Sequence, residues 1–297
     1  MDARLQRRVQ RYGWDLAAEH YEACWRDPLA IAQAELLRQA AIRRGEHVLD
    51  IACGTGLVTL PAAQKVGPDG WVTGVDLSGR MIEVAQQRAR DRGITHARFL
   101  RMDAEALELD SCSVDVALCA LGLMYMPDPE RAITEMSRVL KPGGRMVLAV
   151  WGERERCGWS ALFPIIDAEV ASDVCPLFFR LGAGNALNEA CALAGFDDIR
   201  ATRLDAPFLH ESDDEALKAA FLAGPVALAW SRLDELARRR VCQRYLAAIE
   251  PYRELDGHRI PGEFAVVSAR RLTHDPPRVA GSALRKATGS IINGGEL

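Results

Sequence analysis

The chain has 297 residues, of which 49% are hydrophobic, and a formal net charge of −4. This length is sufficient for one large core, or for one core with a smaller cap. Lys and Arg number 37 against 41 Asp and Glu, without a long cationic tract, which argues against a nucleic-acid partner. No stretch reaches the roughly 18 apolar residues of a membrane span, and the arginine-rich N-terminus lacks the apolar centre of a secretory signal. We therefore expect a cytoplasmic protein without a membrane span.

Eight cysteines occur in the chain, without a C-x-x-C pair or the histidine spacing of a zinc site. Most lie in apolar runs, which favours reduced thiols that act as small core residues. We predict no metal site. A thiol that binds arsenite or a soft metal is the alternative, and metal analysis of the purified protein would separate the two.

Residues 1–45 are predicted to be helical. Trp14, Tyr21 and Trp25 are separated by seven and four residues, which places them on one face of a helix that ends before Pro28. These aromatic side chains either form the roof of a ligand site or dock an amphipathic helix onto the core.

A nucleotide-sized ligand site is predicted at residues 48–56, with the sequence V-L-D-I-A-C-G-T-G. The run begins as a short apolar strand of the kind covered on both faces, with Asp50 near its tip. Gly54 and Gly56 then allow a tight turn and a close approach of the backbone to a ligand. The helix that follows offers unpaired N–H groups and a positive dipole end to an anionic part of that ligand.

Two more acids follow the next two predicted strands. Asp76 comes after an apolar run at residues 71–75, where a carboxylate can accept hydrogen bonds from both hydroxyls of a ribose. Asp103 comes after the run at residues 97–102. Three acids at three successive strand ends are a much more specific signal than one.

The alternation of strand and helix continues beyond the third acid. Residues 114–121 are almost entirely apolar, which is typical of a central buried strand. Asp128 and Pro129 supply an N-cap and a favoured first residue for a helix that runs to about Leu140. A Lys-Pro-Gly-Gly break then leads into a fifth strand at residues 145–151.

The motif at residues 50–56 resembles motif I of the class I S-adenosylmethionine (AdoMet)-dependent methyltransferases. Ala52 stands in place of the first glycine, as in the subgroup that resembles ubiquinone and menaquinone biosynthesis methyltransferases. The Leu-Lys-Pro-Gly-Gly block at residues 140–144 resembles the same family, and the resemblance is dense over residues 48–151 and at fold level beyond. It implies a Rossmann-like α/β fold, with a seven-stranded, mostly parallel sheet whose last strand is antiparallel.

The resemblance also implies that AdoMet is the cofactor and S-adenosyl-L-homocysteine the product. The cofactor would lie at the carboxyl ends of the first four strands. Asp50, Asp76 and Asp103 would contact its amino-acid, ribose and adenine portions, and the backbone of Ala104 would meet the adenine ring. The other expected cofactor contacts are Tyr21, Ala52, Gly54, Gly56, Leu77, Met81 and Cys119.

The predicted organisation has four parts. Residues 1–45 cover the cofactor site, residues 46–151 form the AdoMet-binding core, and residues 152–271 complete the sheet. Within the last of these, residues 206–262 separate the sixth and seventh strands by far more than a hairpin needs, and we expect a helical cap there. Residues 272–297 have little apolar periodicity and are expected to form a flexible tail.

Two helices are predicted inside the cap. Ser212 and Glu215 form a capping box that starts the first helix, and Ser231 is expected to start a second helix that Pro251 ends.

The methyl acceptor is expected to be a small apolar or aromatic molecule. Aromatic residues of the cap and of residues 159–180 would wall its pocket. The candidates for this wall are Phe163, Phe178, Phe179 and Trp230. Tyr125 and His210 are candidates for a general base by position alone, and no catalytic residue is identified. Oxygen, nitrogen, carbon and arsenic acceptors all remain open, as does the oligomeric state.

Two other classes of function remain open. An NAD(P)-dependent Rossmann oxidoreductase would use Asp76, but Thr59 stands where its third glycine belongs, and Asp50 and Asp103 would have no role. A non-catalytic module that retains the fold for protein contacts is the other. The run His274-Asp275-Pro276-Pro277 is similar to the D-P-P-Y motif of amino-methyltransferases. Arg278 replaces its aromatic residue, however, which argues against methylation of adenine or glutamine nitrogen.

Overall fold

A computed structural model describes residues 2–170, 175, 177–255 and 257–273. The helices are α1 (Ala3–Ala40), α2 (Thr59–Val66), α3 (Gly79–Asp91), α4 (Pro129–Val139), α5 (Leu162–Val170), α6 (Ala186–Leu193), α7 (Asp213–Phe221), α8 (Ala227–Ser231) and α9 (Glu235–Ile249). The strands are β1 (His47–Ile51), β2 (Trp71–Asp76), β3 (Ala97–Arg101), β4 (Val114–Ala120), β5 (Leu140–Trp151), β6 (Phe196–Asp205), β7 (Phe208–His210), β8 (Arg253–Glu254), β9 (Gly257–Ile260) and β10 (Glu263–Arg271).

Seven strands form one sheet in the order β3-β2-β1-β4-β5-β10-β6. Strands β1 to β5 pair in parallel, whereas β10 is antiparallel to both β5 and β6. The predicted seven-stranded sheet with its antiparallel last strand is therefore confirmed. Strand order reverses between β1 and β4, and doubly wound sheets bind ligands outside the carboxyl ends of the strands at such a point.

The central strands are apolar on both faces because helices cover both. Val116 and Leu118 of β4 belong to one cluster with residues of α1 and α2, whereas Ala117 and Cys119 belong to a second cluster with residues of α4. This alternation follows from the two-residue period of a strand. It explains why β4 has an almost unbroken apolar sequence.

The break predicted between α4 and the fifth strand is a bulge within that strand. Val114 pairs with Leu140 and Val116 pairs with Arg145, so residues 141–144 have no counterpart on β4. The Nζ of Lys141 lies 2.7 Å from a carboxylate oxygen of Asp115, the second residue of β4, and this ion pair fixes the bulge to the neighbouring strand. Residues 140–144 thus belong to β5, and the prediction that the strand starts at residue 145 was wrong.

The prediction that the N-terminal helix ends before Pro28 was also wrong. Helix α1 continues through Pro28 to Ala40. Proline inside a helix costs roughly 3 kcal/mol because a hydrogen bond is lost and the ring clashes with the preceding turn. Buried residues on both sides of Pro28, among them Ala18, Leu29 and Leu36, hold the helix on the core, and their burial offsets this cost.

The insertion between β6 and β10 contains a second sheet as well as helices. Strands β7, β9 and β8 form this antiparallel sheet. The predicted cap at Ser212 is confirmed, because its Oγ accepts from the Glu215 N–H at 3.3 Å. Ser231, however, ends α8, and α9 starts after Asp234, whose carboxylate accepts from the Ala237 N–H at 2.8 Å.

Three further expectations concern membrane-spanning helices, metal sites and the C-terminal tail. None of the helices in the described ranges is long and apolar enough to cross a membrane. Within the same ranges no group of three or more His, Cys, Asp or Glu side chains could hold a metal ion, and all eight cysteines are free. The expected tail lies outside the described residues from position 274 onward, and so do His274–Pro277 and Arg278.

Candidate active site

A cavity of about 770 Å³, including its open mouth, lies at the carboxyl ends of β1 to β4. We call it the edge cavity. Residues that follow the four strands form its floor, and the inner face of α1 covers it. Its lining includes Arg7, Gln10, Trp14 and Tyr21 of α1 with Ala52, Gly54, Asp76, Leu77, Met81, Asp103, Ala104, Glu105, Leu121, Gly122 and Tyr125.

The structure brings together eight of the eleven residues expected to contact the cofactor. These eight are Tyr21, Ala52, Gly54, Asp76, Leu77, Met81, Asp103 and Ala104. The other three do not line the edge cavity. Cys119 is fully buried within β4, Gly56 faces a separate depression beside Arg26 and Arg88, and Asp50 lies beneath the turn. Direct contact between these three and a ligand remains a prediction.

The turn after β1 brings the backbone to the edge cavity. Ala52 and Gly54 have φ angles of 53° and 52°, so both adopt the left-handed region. This conformation costs an L-residue roughly 1 to 2 kcal/mol, which explains why glycine is usual where Ala52 stands. A Cβ on Gly122 would lie 2.4 Å from the Cβ of Ala52. Glycine at position 122 is therefore what allows the ends of β1 and β4 to approach each other.

Asp76 is held rigidly at the floor of the edge cavity. Its Oδ1 accepts from the Ser78 N–H at 2.8 Å, and its Oδ2 accepts from the Gly54 N–H at 2.9 Å. Burial raises the pKa of Asp76 to about 6, although these backbone hydrogen bonds oppose the rise. Each oxygen keeps a lone pair for a further donor, so the carboxylate can accept from two hydroxyls.

Asp50 lies just below, with 1% of its surface exposed. Its Oδ2 accepts from the Thr59 hydroxyl at 2.5 Å, whereas its Oδ1 is buried without a partner. Burial raises the pKa of Asp50 to about 7, the Thr59 hydrogen bond lowers it, and the nearby Asp76 raises it further. A buried acceptor without a donor is costly, and its position beside the floor of the cavity fits a ligand that supplies a cationic or N–H donor.

Sequence analysis missed Arg7 and Glu105 at the opposite end of the edge cavity. The Nε of Arg7 lies 3.0 Å from Oδ2 of Asp103, and its Nη2 pairs with Glu105. The Oδ1 of Asp103 accepts from the Glu105 N–H at 2.9 Å. Arg7 belongs to an arginine-rich segment that reads as exposed, and Glu105 is 2% exposed, so no pattern in the sequence pointed to this pair.

Helix α1 is fastened over the edge cavity at two further positions. The Asp15 carboxylate accepts from the Ser78 hydroxyl at 2.6 Å, next to the floor acid. The Glu22 carboxylate accepts from the Thr55 hydroxyl at 2.5 Å, within the turn after β1. Together with the ion pairs of Arg7 with Asp103 and Glu105, these contacts hold the helix along the whole row of strand ends.

A second cavity of about 620 Å³ adjoins the first. We call it the aromatic cavity. Its walls are mainly apolar, and among the described residues they come from α1, the end of β5, α5, β7, α7 and α9, with Trp159 and Phe178. They include Trp14, Tyr21, Trp25, Leu121, Tyr125, Trp151, Trp159, Phe178, Phe208, His210 and Tyr245. Trp14, Tyr21, Leu121 and Tyr125 line both cavities, so these four side chains form a shared partition.

The aromatic residues predicted for the acceptor wall divide into two groups. Phe178 lines the aromatic cavity. Phe163 and Phe179 pack behind it, with ring centroids 4.6 and 4.8 Å from that of Phe178. Trp230 stacks on Phe221 instead, at a centroid distance of 4.7 Å. Three of the four therefore do not line the aromatic cavity, and two of these three, Phe163 and Phe179, pack against the residue that does.

The two candidates for a general base differ in their electrostatics. Tyr125 lies in the partition, and burial raises its pKa far above the ordinary value, which opposes its use as a base. His210 lies at the aromatic cavity on β7 and is 8% exposed. Burial lowers its pKa, Glu215 opposes this, and His258 lowers it further. A neutral imidazole at neutral pH is able to accept a proton.

Similarity to known proteins is concentrated in the segment that builds the edge cavity. Residues 48–144 match the family model described as Methyltransferase domain. The ubiquinone/menaquinone biosynthesis C-methyltransferase UbiE of Idiomarina loihiensis is 42% identical over 110 residues, which are 37% of this chain and 44% of that protein. The chain thus spans less than half the length of this curated relative.

Solved structures resemble the chain over a longer stretch. A putative methyltransferase from Bacillus halodurans has a TM-score of 0.58 at 19% identity, over 81% of this chain and 99% of that one. The [4+2]-cyclase SpnF has a TM-score of 0.56 at 24% identity, over 82% and 81% of the two chains. At these identities the likeness establishes the fold. Residues 48–144, which build much of the floor of the edge cavity, are thus the part of the chain that matches a methyltransferase domain.

Proposed function

We propose that this protein is an AdoMet-dependent methyltransferase that acts on a small aromatic acceptor of the quinone type. The observation that carries this proposal is the pair of adjoining cavities. One is floored by fixed carboxylates at strand ends, the other is apolar and aromatic, and four side chains separate them. A donor with polar groups and an apolar acceptor would meet at this partition.

The residues of the edge cavity fit AdoMet. The free lone pairs of Asp76 suit the two ribose hydroxyls, and the unpartnered Oδ1 of Asp50 suits a donor from the amino-acid portion. Asp103 and the backbone of Ala104 lie at the far end, where the adenine would contact them. When bound, the cofactor supplies an electrophilic methyl group on sulfur.

The aromatic cavity limits what the acceptor can be. Its lining offers rings and aliphatic side chains, with His210 as the one imidazole in the described lining; burial lowers the pKa of this side chain, which favours its neutral, proton-accepting form. No Asp, Glu, Lys or Arg belongs to that described lining, so a highly charged acceptor would lose its hydration without a partner. The name of the relative that is 42% identical over 110 residues refers to ubiquinone and menaquinone, which supports a quinone-type ring.

The contribution of the protein's own groups to the reaction is positioning and proton transfer. The partition side chains exclude water and hold the acceptor's reacting atom close to the edge cavity, and alignment of this kind can supply much of the rate enhancement. His210 in its neutral form takes the proton that the acceptor's hydroxyl or ring carbon releases. Tyr21 and Tyr125 remain protonated because burial raises both pKa values, so their hydroxyls can donate a hydrogen bond.

The proposal extends to the setting of this reaction. The partner is a small molecule and not a nucleic acid, and the protein works in the cytoplasm. Residues 1–45 cover the cofactor, and residues 206–262 act as a cap over the acceptor.

A transfer assay tests the proposal. The purified full chain is incubated with AdoMet carrying a labelled methyl group and with a panel of phenols, hydroquinones, aliphatic amines and carboxylic acids. We expect label in a phenol or hydroquinone, detected by mass spectrometry of the product, and none in the charged aliphatic compounds. At AdoMet concentrations near the Kd of the unmodified protein, the label should fall several-fold or more in Asp76→Ala and be kept in Asp69→Ala, which changes an exposed acid just before the opposite end of β2.

Each contrary result points to a different function. AdoMet binding without transfer to any panel member would indicate a non-catalytic module. Stabilisation by NADH and not by AdoMet in a thermal scan would indicate an oxidoreductase. Transfer to an amine alone would leave the methyltransferase intact and overturn the acceptor class.

A further inference from the structure

The outer face of the first half of α1 carries an apolar stripe. Leu5, Val9, Tyr12 and Leu16 recur at spacings of four, three and four residues, so their side chains lie on one side of the helix. Leu5, Tyr12 and Leu16 are 42%, 45% and 48% exposed, which is high for large apolar side chains on a single face. Scattered exposed leucines need no explanation, but a row of them does.

A row of arginines flanks this stripe. Arg4, Arg8 and Arg11 follow one another at helical spacing on its flank, and none of the three has an acidic partner within ion-pair distance among the described residues. Arg11 instead lies over the ring of Tyr12, with its guanidinium 4.5 Å from the ring centroid. Beside Arg11 a surface depression is lined by two more arginines, Arg80 and Arg101, and by two acids, Asp15 and Glu83, so the arginines are in excess there. The chain as a whole is acidic, so this positive charge is a local feature.

We propose that the outer face of residues 4–16 docks onto the surface of a membrane that contains anionic lipids. An apolar stripe bordered by basic residues on a helix that is too polar to span a bilayer is the arrangement by which helices lie in the lipid interface. The stripe would enter the headgroup boundary, while Arg4, Arg8 and Arg11 would contact lipid phosphates or carboxylates.

The dimensions of the stripe favour a lipid surface over a second copy of the chain. From Leu5 to Leu16 it spans fewer than two heptads, whereas helix pairs that associate through such a pattern need at least three. A stable dimer interface buries about 1,600 Å² in total, far more than four partly exposed side chains provide. A lipid surface sets no minimum of this kind, and the basic flank complements its charge.

The position of the stripe connects it to the cavities. Trp14 and Tyr21, on the inner face of the same helix, line both the edge and the aromatic cavities. Docking would therefore bring the roof of the apolar cavity to the boundary of a bilayer, where an apolar acceptor would be concentrated. The docking itself does not require methyl transfer, so it stands or falls independently of the proposed function.

Co-sedimentation with vesicles tests the docking. The full chain is mixed with vesicles of phosphatidylcholine alone, or of equal parts phosphatidylcholine and phosphatidylglycerol, at low and high salt. We expect binding to the mixed vesicles that weakens with salt, and little binding to the neutral ones. Each arginine near an anionic surface contributes about fivefold, so Arg4→Gln, Arg8→Gln and Arg11→Gln combined should weaken binding on the order of a hundredfold.

The apolar part of the stripe has a matched control. Leu5→Ser with Leu16→Ser should abolish vesicle binding, whereas Leu193→Ser with Leu236→Ser should leave it unchanged, although Leu193 and Leu236 are 86% and 67% exposed. AdoMet affinity and melting temperature are measured in every variant, and we expect both to match the unmodified protein. This separates failure of docking from failure of the proposed function.

Three outcomes would overturn the docking. The first is no binding to either vesicle by a folded protein. The second is equal loss of binding in the stripe variant and in the control. The third is a concentration-dependent dimer, measured by sedimentation velocity, that the stripe substitutions dissolve, which would assign the face to a second copy of the chain.

Discussion

Replacement of Asp50 by asparagine should stabilise the protein at alkaline pH, because the buried carboxylate is ionised there at a cost. Asp50 is 1% exposed, and one of its oxygens has no donor. Burial raises its pKa from 3.8 to about 7, a rise of about 3 units (7 minus 3.8). At about 1.4 kcal/mol per unit, ionisation of Asp50 costs the folded protein roughly 4 kcal/mol more than the unfolded chain.

The sign of the pH dependence follows from the direction of this shift. Between about pH 4 and pH 7 the folded protein retains a proton on Asp50 that the unfolded chain has lost, so the free energy of unfolding falls as the pH rises. Asparagine removes this fall because it does not ionise. The asparagine amide, however, leaves one buried polar group without a partner, and this lowers the free energy of unfolding by roughly 1 to 3 kcal/mol at any pH. We expect a net gain of about 1 to 3 kcal/mol near pH 8, and near pH 4, where the ionisation cost is absent, a net loss of roughly 1 to 3 kcal/mol.

Urea unfolding of the cofactor-free protein and of the Asp50→Asn variant, near pH 4 and near pH 8, measures this difference in the free energy of unfolding. Asp115→Asn, on the neighbouring strand β4, is the control with the opposite sign. Burial alone would raise the pKa of Asp115, but hydrogen bonds from Lys141 and from the backbone of His47 outweigh it and lower the pKa. That substitution should destabilise the protein near pH 8. A change in unfolding free energy for Asp50→Asn that is the same at both pH values would refute the reasoning.

Three further substitutions have defined outcomes. Gly122→Ala would place its Cβ 2.4 Å from the Cβ of Ala52, so we expect the free energy of unfolding in urea to fall by about 1 to 3 kcal/mol. Gly13→Ala is the control. Its Cβ would have its nearest neighbour 3.7 Å away, and this substitution should not destabilise the protein. Phe178→Ala removes a side chain that is 2% exposed and should cost roughly 3 to 5 kcal/mol by the same measurement, and a loss below 1 kcal/mol would contradict its place in the wall. His210→Gln should lower kcat for a phenolic acceptor by about a hundredfold or more and remove the acidic limb of the pH profile, with AdoMet affinity unchanged. An unchanged pH profile would exclude His210 as the base.

The sheet could be predicted because strands that are buried on both faces have nearly continuous apolar sequences. Strand β4 is the clearest example, and Asp50, Asp76 and Asp103 lie within two residues of the ends of β1, β2 and β3. The cap was harder to predict. Strands β7, β8 and β9 have three, two and four residues, too few to show a two-residue period. Pro28 was misleading because burial on both sides of it outweighs the local cost of proline in a helix.

The position of the site could be predicted from the sequence. Which of its residues line the cavity and which are buried beside it could not. Asp50 and Asp76 both follow the pattern of a strand-end acid, yet Asp76 lines the edge cavity, whereas Asp50 is 1% exposed and does not. Arg7 was missed for the opposite reason. It lies among arginines that face solvent, and only the rotation of α1 turns this one inward to Asp103. Whether a side chain faces inward depends on how elements dock, which a single sequence does not encode locally.

The central claim is that the carboxylates at the strand ends bind AdoMet, and calorimetric titration of the cofactor tests it most directly. Asp76→Ala removes the fixed acceptor on the floor of the edge cavity and should weaken AdoMet binding by about 1 to 3 kcal/mol, or roughly 5- to 150-fold in Kd. Asp69→Ala, at the other end of β2, should bind as the unmodified protein does. Equal AdoMet affinity in all three proteins, or no binding in any of them, would contradict the account.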